Sequence, residues 1–186
     1  MNIKIETERL ILREFIPSDE NGLFELDSNP AVHTYLGNKP VTKIEEVRKF
    51  IEIINQQYLE NGIARWAVID KFTEEFIGWS GIKLIKEPMN NHNNFYEIGY
   101  RLIEKHWGKG IATETTIALL EYAFENLKIE KVYAICDIGN IGSKNVLLKT
   151  GLKLIETFDY NGIEHNWFEI SKNKWIKSNP KKIEAE

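Results

Sequence analysis

The run Trp107-Gly108-Lys109-Gly110-Ile111-Ala112-Thr113 decides how this chain is read. A strand-like segment, Phe95 to Ile103, leads into it, and a helix-like segment, Thr113 to Leu127, leaves it. Two glycines and an alanine at such a junction leave main-chain N–H groups uncovered by side chains. The start of a helix adds unpaired N–H donors and the positive end of the helix dipole. Together they form a cradle for an anion of the phosphate or diphosphate kind.

Two well-known phosphate loops do not fit. The P-loop requires G-x-x-x-x-G-K-[ST], but Ile111 and Ala112 follow Gly110 here. No pattern of Mg²⁺-binding acids is evident either, which argues against a nucleotide-dependent phosphotransferase. The dinucleotide fingerprint requires a third glycine, where this chain has Thr113. A glycine-rich turn with no ligand is the competing reading of the run in isolation.

The 186 residues are 42% hydrophobic and 28% charged, the balance of an ordinary soluble domain. The expected organisation is one domain over residues 1–176 and a charged, frayed tail over 177–186. The longest apolar runs, such as Trp66-Ala67-Val68-Ile69, are far too short to span a membrane. Met1-Asn2-Ile3-Lys4 leads directly into polar residues, unlike a secretory leader. A single cysteine, Cys136, excludes an internal disulfide and points to the cytoplasm. A net charge of −4 argues against nucleic acid as the main partner.

Periodicity supplies the elements. Arg9 to Arg13 is a short strand, and Pro17-Ser18-Asp19 starts a helix with Ser18 or Asp19 as its cap. Asn29-Pro30 ends that helix and begins another, closed at Gly37. Thr42-Lys43-Ile44-Glu45 reads as a capping box before a helical stripe of Ile44, Val47, Phe50 or Ile51, Ile54 and Tyr58. Arg65 to Ile69 and Phe76 to Ile85 form a hairpin, followed by a surface loop from Lys86 to Asn94. The helix after the glycines is expected to bury Ile117, Leu120, Phe124 and Leu127. Lys131 to Cys136 is a strand, and Gly139 to Lys149 a short helix. Leu152 to Tyr160 and Glu164 to Ser171 are strands joined at Asn161-Gly162, a strong hairpin signal. The order β-α-α-β-β-β-α-β-α-β-β predicts an α/β (α+β) mixed sheet. In it, the strands flanking the glycine loop and its helix are parallel neighbours.

These runs resemble the GNAT superfamily of acetyltransferases, whose diphosphate loop reads Gln/Arg-x-x-Gly-x-Gly/Ala. Gly110 and Ala112 fill the last two positions, and Trp107 stands in place of Gln or Arg. More narrowly, the chain is similar to the ribosomal-protein N-terminal acetyltransferase branch from about Thr7 to Ile170. The matching runs are Thr7-Glu8-Arg9-Leu10-Ile11-Leu12-Arg13, Asn29-Pro30-Ala31-Val32 with Tyr35-Leu36-Gly37, and Glu97-Ile98-Gly99-Tyr100 leading into the glycine loop through Glu114. Asn140, Ser143, Val146-Leu147, Lys149 and Gly151-Leu152 match a later run of that branch.

The resemblance implies a mostly antiparallel sheet with one splayed parallel strand pair. It also implies acetyl-CoA as donor and an amine as acceptor. Its pantetheine arm would pair with Tyr100, Arg101 and Leu102. Its diphosphate would sit on the main chain of Gly108, Lys109, Gly110, Ile111, Ala112 and Thr113, and Asn140 would meet the arm's amide. Leu147 stands where many members carry a tyrosine that protonates the leaving thiolate, so another group must supply that proton. Ser143 is the best donor by resemblance, with helix capping as its plain alternative.

Acyl transfer from a thioester needs a neutral amine, an oxyanion donor and a proton for sulfur. A lysine amine is neutral in roughly one molecule in a thousand at pH 7, an α-amine in about a tenth. An N-terminal acceptor therefore needs only a modest base, such as a carboxylate acting through water. Glu97 is the first candidate, placed by alternation on one face with Gly99 and Arg101; an ion pair to Arg101 is its structural alternative. Asp159, beside the hairpin, is a weaker one. A strand N–H near Leu102 is the expected oxyanion donor. His33, His92, His106 and His165 lack metal-ligand spacing, so no metal is expected. Cys136 and Trp66, Trp79, Trp107, Trp167 and Trp175 read as core or cofactor-wall residues.

Two other functions remain open on this sequence: a non-catalytic acyl-CoA sensor, and an acetyltransferase for a small amine such as an aminoglycoside, polyamine or amino acid. A homodimer through the C-terminal strands is compatible with the sequence, which does not fix the oligomeric state.

Overall fold

The computed structural model describes residues 4–178. Its strands are β1 (Lys4–Glu6), β2 (Leu10–Arg13), β3 (Arg65–Asp70), β4 (Phe76–Ile85), β5 (Phe95–Leu102), β6 (Lys131–Asp137), β7 (Lys153–Tyr160) and β8 (Ile163–Ser171). Its helices are α1 (Glu20–Ser28), α2 (Pro30–His33), α3 (Ile44–Asn61), α4 (Ile111–Glu125), α5 (Ile141–Lys149) and α6 (Lys172–Ser178).

The strands form one sheet in the order β1-β2-β3-β4-β5-β6-β8-β7. Every neighbouring pair is antiparallel except β5 and β6. That parallel pair is in register only at Tyr96↔Val132 and Glu97↔Tyr133. Beyond Glu97, β5 continues to Leu102 and β6 to Asp137 without pairing, so the two strands splay. This mixed sheet, with its splayed parallel pair and flanking helices, is the fold the sequence implied.

Helix α4 covers one face. Leu119, Leu120, Ala123 and Phe124 pack there against Trp66, Val68, Ile82, Ile98 and Leu102. On the other face Leu23, Leu26, Val47, Ile51 and Ile54 from α1 and α3 pack against Ala67, Ile69 and Trp79. Burial of these apolar side chains is the main stabilising term.

Several local expectations are corrected. β1 was not expected, because three residues carry no usable alternation. α6 was missed too; its Trp175 packs on Phe124, with ring centroids 6.1 Å apart. Lys177 and Ser178 complete α6 rather than begin a frayed tail, and residues 179–186 of that expected tail lie outside the described ones. Ile117 is exposed, and Thr115 and Thr116 are buried in the stripe instead. The capping box of α3 sits one residue later than expected, with the Glu46 carboxylate accepting from the N–H groups of Thr42 and Lys43. Asp19 makes no cap bond to α1 itself; its carboxylate accepts from the Ile16 N–H at 2.9 Å, closing the turn at Pro17 that leads into the helix, and from Arg13 at 2.7 and 2.8 Å. Asn161 and Gly162 both adopt positive φ, as the tight hairpin requires.

Candidate active site

The glycine loop is open as the sequence suggested. Gly108 and Gly110 have φ of 72° and 78°, a left-handed conformation that favours glycine. A Cβ on Gly108 would meet nothing within 4 Å, and one on Gly110 only Arg9 Nη2 at 3.8 Å. Gly110 is the N-cap of α4, and no side chain caps that helix. Its first main-chain bond runs from the Glu114 N–H to the Gly110 carbonyl at 3.0 Å. Among the described residues, nothing accepts from the N–H groups of Gly108, Lys109, Gly110, Ile111, Ala112 or Thr113. Ala112 is partly buried against the core, so its small side chain also serves packing.

A clamp that sequence reasoning missed holds this loop. Glu114 accepts from Thr7 Oγ1 at 2.5 Å, from Arg9 Nε at 2.8 Å and from Arg9 Nη2 at 2.6 Å. Arg9 Nη2 also donates to the Lys109 carbonyl at 3.2 Å. Its signal was present, since Thr7, Arg9 and Glu114 all lie within the runs quoted above. Sequence alone did not show that they meet.

Burial pushes the Glu114 carboxyl up, but the bonds from Thr7 and Arg9 outweigh it and hold the group below its usual value of 4.5. A depressed carboxyl stabilises the fold above its unfolded value and loses that contribution as pH falls through the folded one. Stability is therefore expected to decline as pH drops below about 4.5, and less steeply in Glu114→Gln. Arg9→Ala should cost about 1 kcal/mol at pH 7 because the pair is partly exposed. Thermal melts across a pH series check both.

The splay exposes main chain on β5. The pairing of β4 with β5 is regular from Gly78↔Leu102 to Ile85↔Phe95, and the Ile103 N–H bonds the Ile77 carbonyl. Antiparallel alternation then directs the main-chain groups of Arg101 and Gly99 to β4, and those of Tyr100 and Leu102 toward the gap beside β6. The Leu102 carbonyl is taken there by the Trp107 indole at 2.8 Å. Trp107, half exposed, thus ties the loop to the end of β5. Of the three residues expected along the donor arm, Tyr100 and Leu102 turn main-chain groups to the gap and Arg101 turns its own to β4. The Arg101 side chain lies on the far face, 2.6 Å from Asp27.

Across the gap stands the start of α5. Asn140 caps it, accepting from the Ser143 N–H at 3.0 Å. Ser143 is therefore not the cap. Its Oγ lies 3.0 Å from the Tyr100 hydroxyl, which is also 3.2 Å from the Ser143 carbonyl. Leu147 is sealed in the core.

Glu97 lies on the opposite face, and its partner is not Arg101. Its Oε2 is 3.0 Å from Arg65 Nη2 and 3.5 Å from Lys83 Nζ. Oε1 has no hydrogen-bond partner among the described residues. Gly99 makes room for Arg65, since a Cβ there would sit 2.5 Å from Nη1. The Arg65 guanidinium stacks 4.4 Å from the centre of the Trp79 ring. Burial pulls both Arg65 and Lys83 below their usual pKa values, against the opposing pull of Glu97.

The remaining candidates have structural partners. Asp159 accepts from the Gly162 N–H in the hairpin turn. Cys136 is buried beside Asn166. His92 stacks on Trp167 at 4.9 Å, and His165 lies between the rings of Phe158 and Tyr160. Among the described residues no cluster of three or more His, Cys, Asp or Glu could hold a metal ion. None of their helices is long and apolar enough to cross a membrane. A cavity of about 410 Å³ opens at the other end of β5 and β6, lined by His92, Tyr96, Lys128 and Tyr133. It lies away from the splay.

A splayed β5/β6 pair beside a bare N–H loop defines an acyl-CoA-dependent acetyltransferase fold. The chain belongs to the GNAT acetyltransferases, because residues 9–153 match the Acetyltransferase (GNAT) domain family. It is 36% identical to the uncharacterized N-acetyltransferase p20 of Bacillus licheniformis over 141 residues, 76% of this chain and 77% of that one. Among solved structures it shares its fold with RimL, a ribosomal L7/L12 α-N-protein acetyltransferase in complex with coenzyme A. That match has a TM-score of 0.76 at 23% identity and covers 91% of this chain and 98% of that one. It also shares it with spermidine N-acetyltransferase from Vibrio cholerae in complex with coenzyme A and spermine. There the TM-score is 0.73 at 21% identity, over 91% and 99% of the two chains. The protein is thus an acetyl-CoA-dependent N-acetyltransferase.

Proposed function

We propose that this enzyme acetylates the α-amino group of a peptide or protein N-terminus. One observation carries the choice of acceptor: Glu97 is a buried carboxylate beside the splay, whose contacts with Arg65 and Lys83 both run through Oε2. A carboxylate is a modest base. It suits an α-amine, already neutral in about a tenth of molecules at pH 7, far better than a lysine. Charge supports the same choice. Arg65, Lys83 and Arg101 gather around Glu97 and Asp27, a cluster with more cations than carboxylates in ion-pair contact and an unfavourable surface for a polycation.

The bare cradle fits the diphosphate of acetyl-CoA, and the unpaired edge of β5 fits its amide-bearing arm. The N–H groups of Gly108 to Thr113 hold the diphosphate, with Lys109 alongside. Main-chain groups of Tyr100 and Leu102 line the arm, as does the Asn140 amide. The donor supplies the thioester carbonyl, whose developing oxyanion the Leu102 N–H stabilises. Glu97 Oε1 takes the ammonium proton through a water, and Ser143 gives a proton to the departing sulfur.

Thiol release is the test, with acetyl-CoA as donor and a panel of acceptors. Short peptides beginning with Ser, Ala or Thr should turn over at least tenfold faster than spermidine, an aminoglycoside or free amino acids. Preference for spermidine would refute the choice of acceptor. Donor binding without thiol release from any of them would instead favour a sensor.

A further inference from the structure

We propose that Tyr100 is the source of the proton taken by the departing coenzyme A thiolate, delivered through the Ser143 hydroxyl. Such a role presupposes the acetyl transfer proposed above. The position that resembles the usual tyrosine is Leu147, whose apolar side chain is sealed in the core and has no proton to give. A phenol reaches the start of α5 from the other side of the splay instead. Tyr100 projects from β5, and its hydroxyl lies 3.0 Å from Ser143 Oγ. Both residues are half-buried, so the pair borders the gap rather than the closed core.

The chemistry favours a pair over serine alone. A serine that gave up its proton unaided would become an alkoxide, a far stronger base than a thiolate. A phenol, with an ordinary pKa of about 10, can refill the serine as it donates. Burial raises Tyr100 above that ordinary value, so the hydroxyl carries its proton at neutral pH. The acceptor N–C bond forms and the C–S bond breaks. Sulfur takes the Ser143 proton, and Ser143 takes the proton of Tyr100. The acceptor ammonium gives up two protons to Glu97 and solvent in becoming an amide, one before the N–C bond forms and one after it; one of them is returned to the Tyr100 phenolate and the other is released. Tyr100 acts through Ser143 and need not touch the donor.

The test uses the full chain with acetyl-CoA and hydroxylamine, a small amine that is neutral at pH 7. Thiol release is followed for wild type, Tyr100→Phe, Ser143→Ala, the double variant, and a protein with 3-fluorotyrosine at position 100. Tyr100→Phe is expected to lower kcat by about 100-fold, in the range of general-acid effects, with KM for acetyl-CoA within about twofold of wild type. Because the two hydroxyls act in series, the double variant should be no slower than the slower single one. Fluorotyrosine, which keeps the hydroxyl, should restore kcat to within about threefold. It also decides the matter if the phenylalanine variant fails to fold. A Tyr100→Phe enzyme with wild-type kcat, a loss confined to KM, multiplying losses in the double variant, or no recovery with fluorotyrosine would each overturn the relay. Wild type that releases no thiol with hydroxylamine or with any peptide or amine of the acceptor panel refutes acetyl transfer itself, a separate result with which the relay also falls.

Discussion

Gly110→Val is expected to raise the Kd for acetyl-CoA at least 100-fold, about 2.7 kcal/mol of binding free energy. Two effects combine. A β-branched side chain is strained at φ 78°, at a cost of about 1–2 kcal/mol. It also stands over the six N–H groups that lack partners, and the loop's grip on a diphosphate depends on close approach to that backbone. Gly62 supplies the control. It has φ 68°, ends α3 and has open space around it, with nothing within 4 Å of an added Cβ. Gly62→Val should lower the melting temperature by a similar amount and leave the Kd unchanged. Isothermal titration with acetyl-CoA alongside thermal melts separates the two. Equal Kd values for Gly110→Val and wild type would remove the cradle from the functional account.

Glu97→Ala should cost about 3–5 kcal/mol of stability, because it strands the buried Arg65 without its counter-charge. For a chain of this size that corresponds to a fall of roughly 6–20 °C in melting temperature. Replacing the fully buried pair by apolar residues, Arg65→Met with Glu97→Leu, should recover part of the loss, with the partly exposed Lys83 left to water. The folded double variant then isolates the chemical role. If Glu97 accepts the amine proton, that protein melts above Glu97→Ala and acetylates a peptide at least 100-fold slower than wild type. Unimpaired turnover would reduce Glu97 to a structural partner of Arg65.

Much of the fold was legible because its signals are local. The glycine run marked a strand-to-helix junction, strand-like runs between turn residues marked β3 to β8, and Asn161-Gly162 marked a tight turn. The errors came where local signals were short or where tertiary packing overrode them. Three residues of β1 gain strand structure only by pairing with β2. Ile117 fits the helical period but falls outside the face that meets the sheet. Asp19 has the chemistry of a helix cap, and its carboxylate is shared between the Ile16 N–H and Arg13, which no local pattern announced. Among the candidate site residues, Arg101 lay beside Tyr100 and Leu102 in sequence but turned its main chain to β4 and its side chain to Asp27.

Sequence by itself determined the element order, the phosphate-type loop and the family resemblance, because each depends on residue spacing along a few turns of chain. Only the tertiary structure decided which groups meet. Arg9 reaches Glu114 across 105 residues, Glu97 is held by Arg65 from a strand two positions away, and Tyr100 finds Ser143 across the splay. Such contacts arise from strand register and helix packing, which bring together positions that no local pattern links.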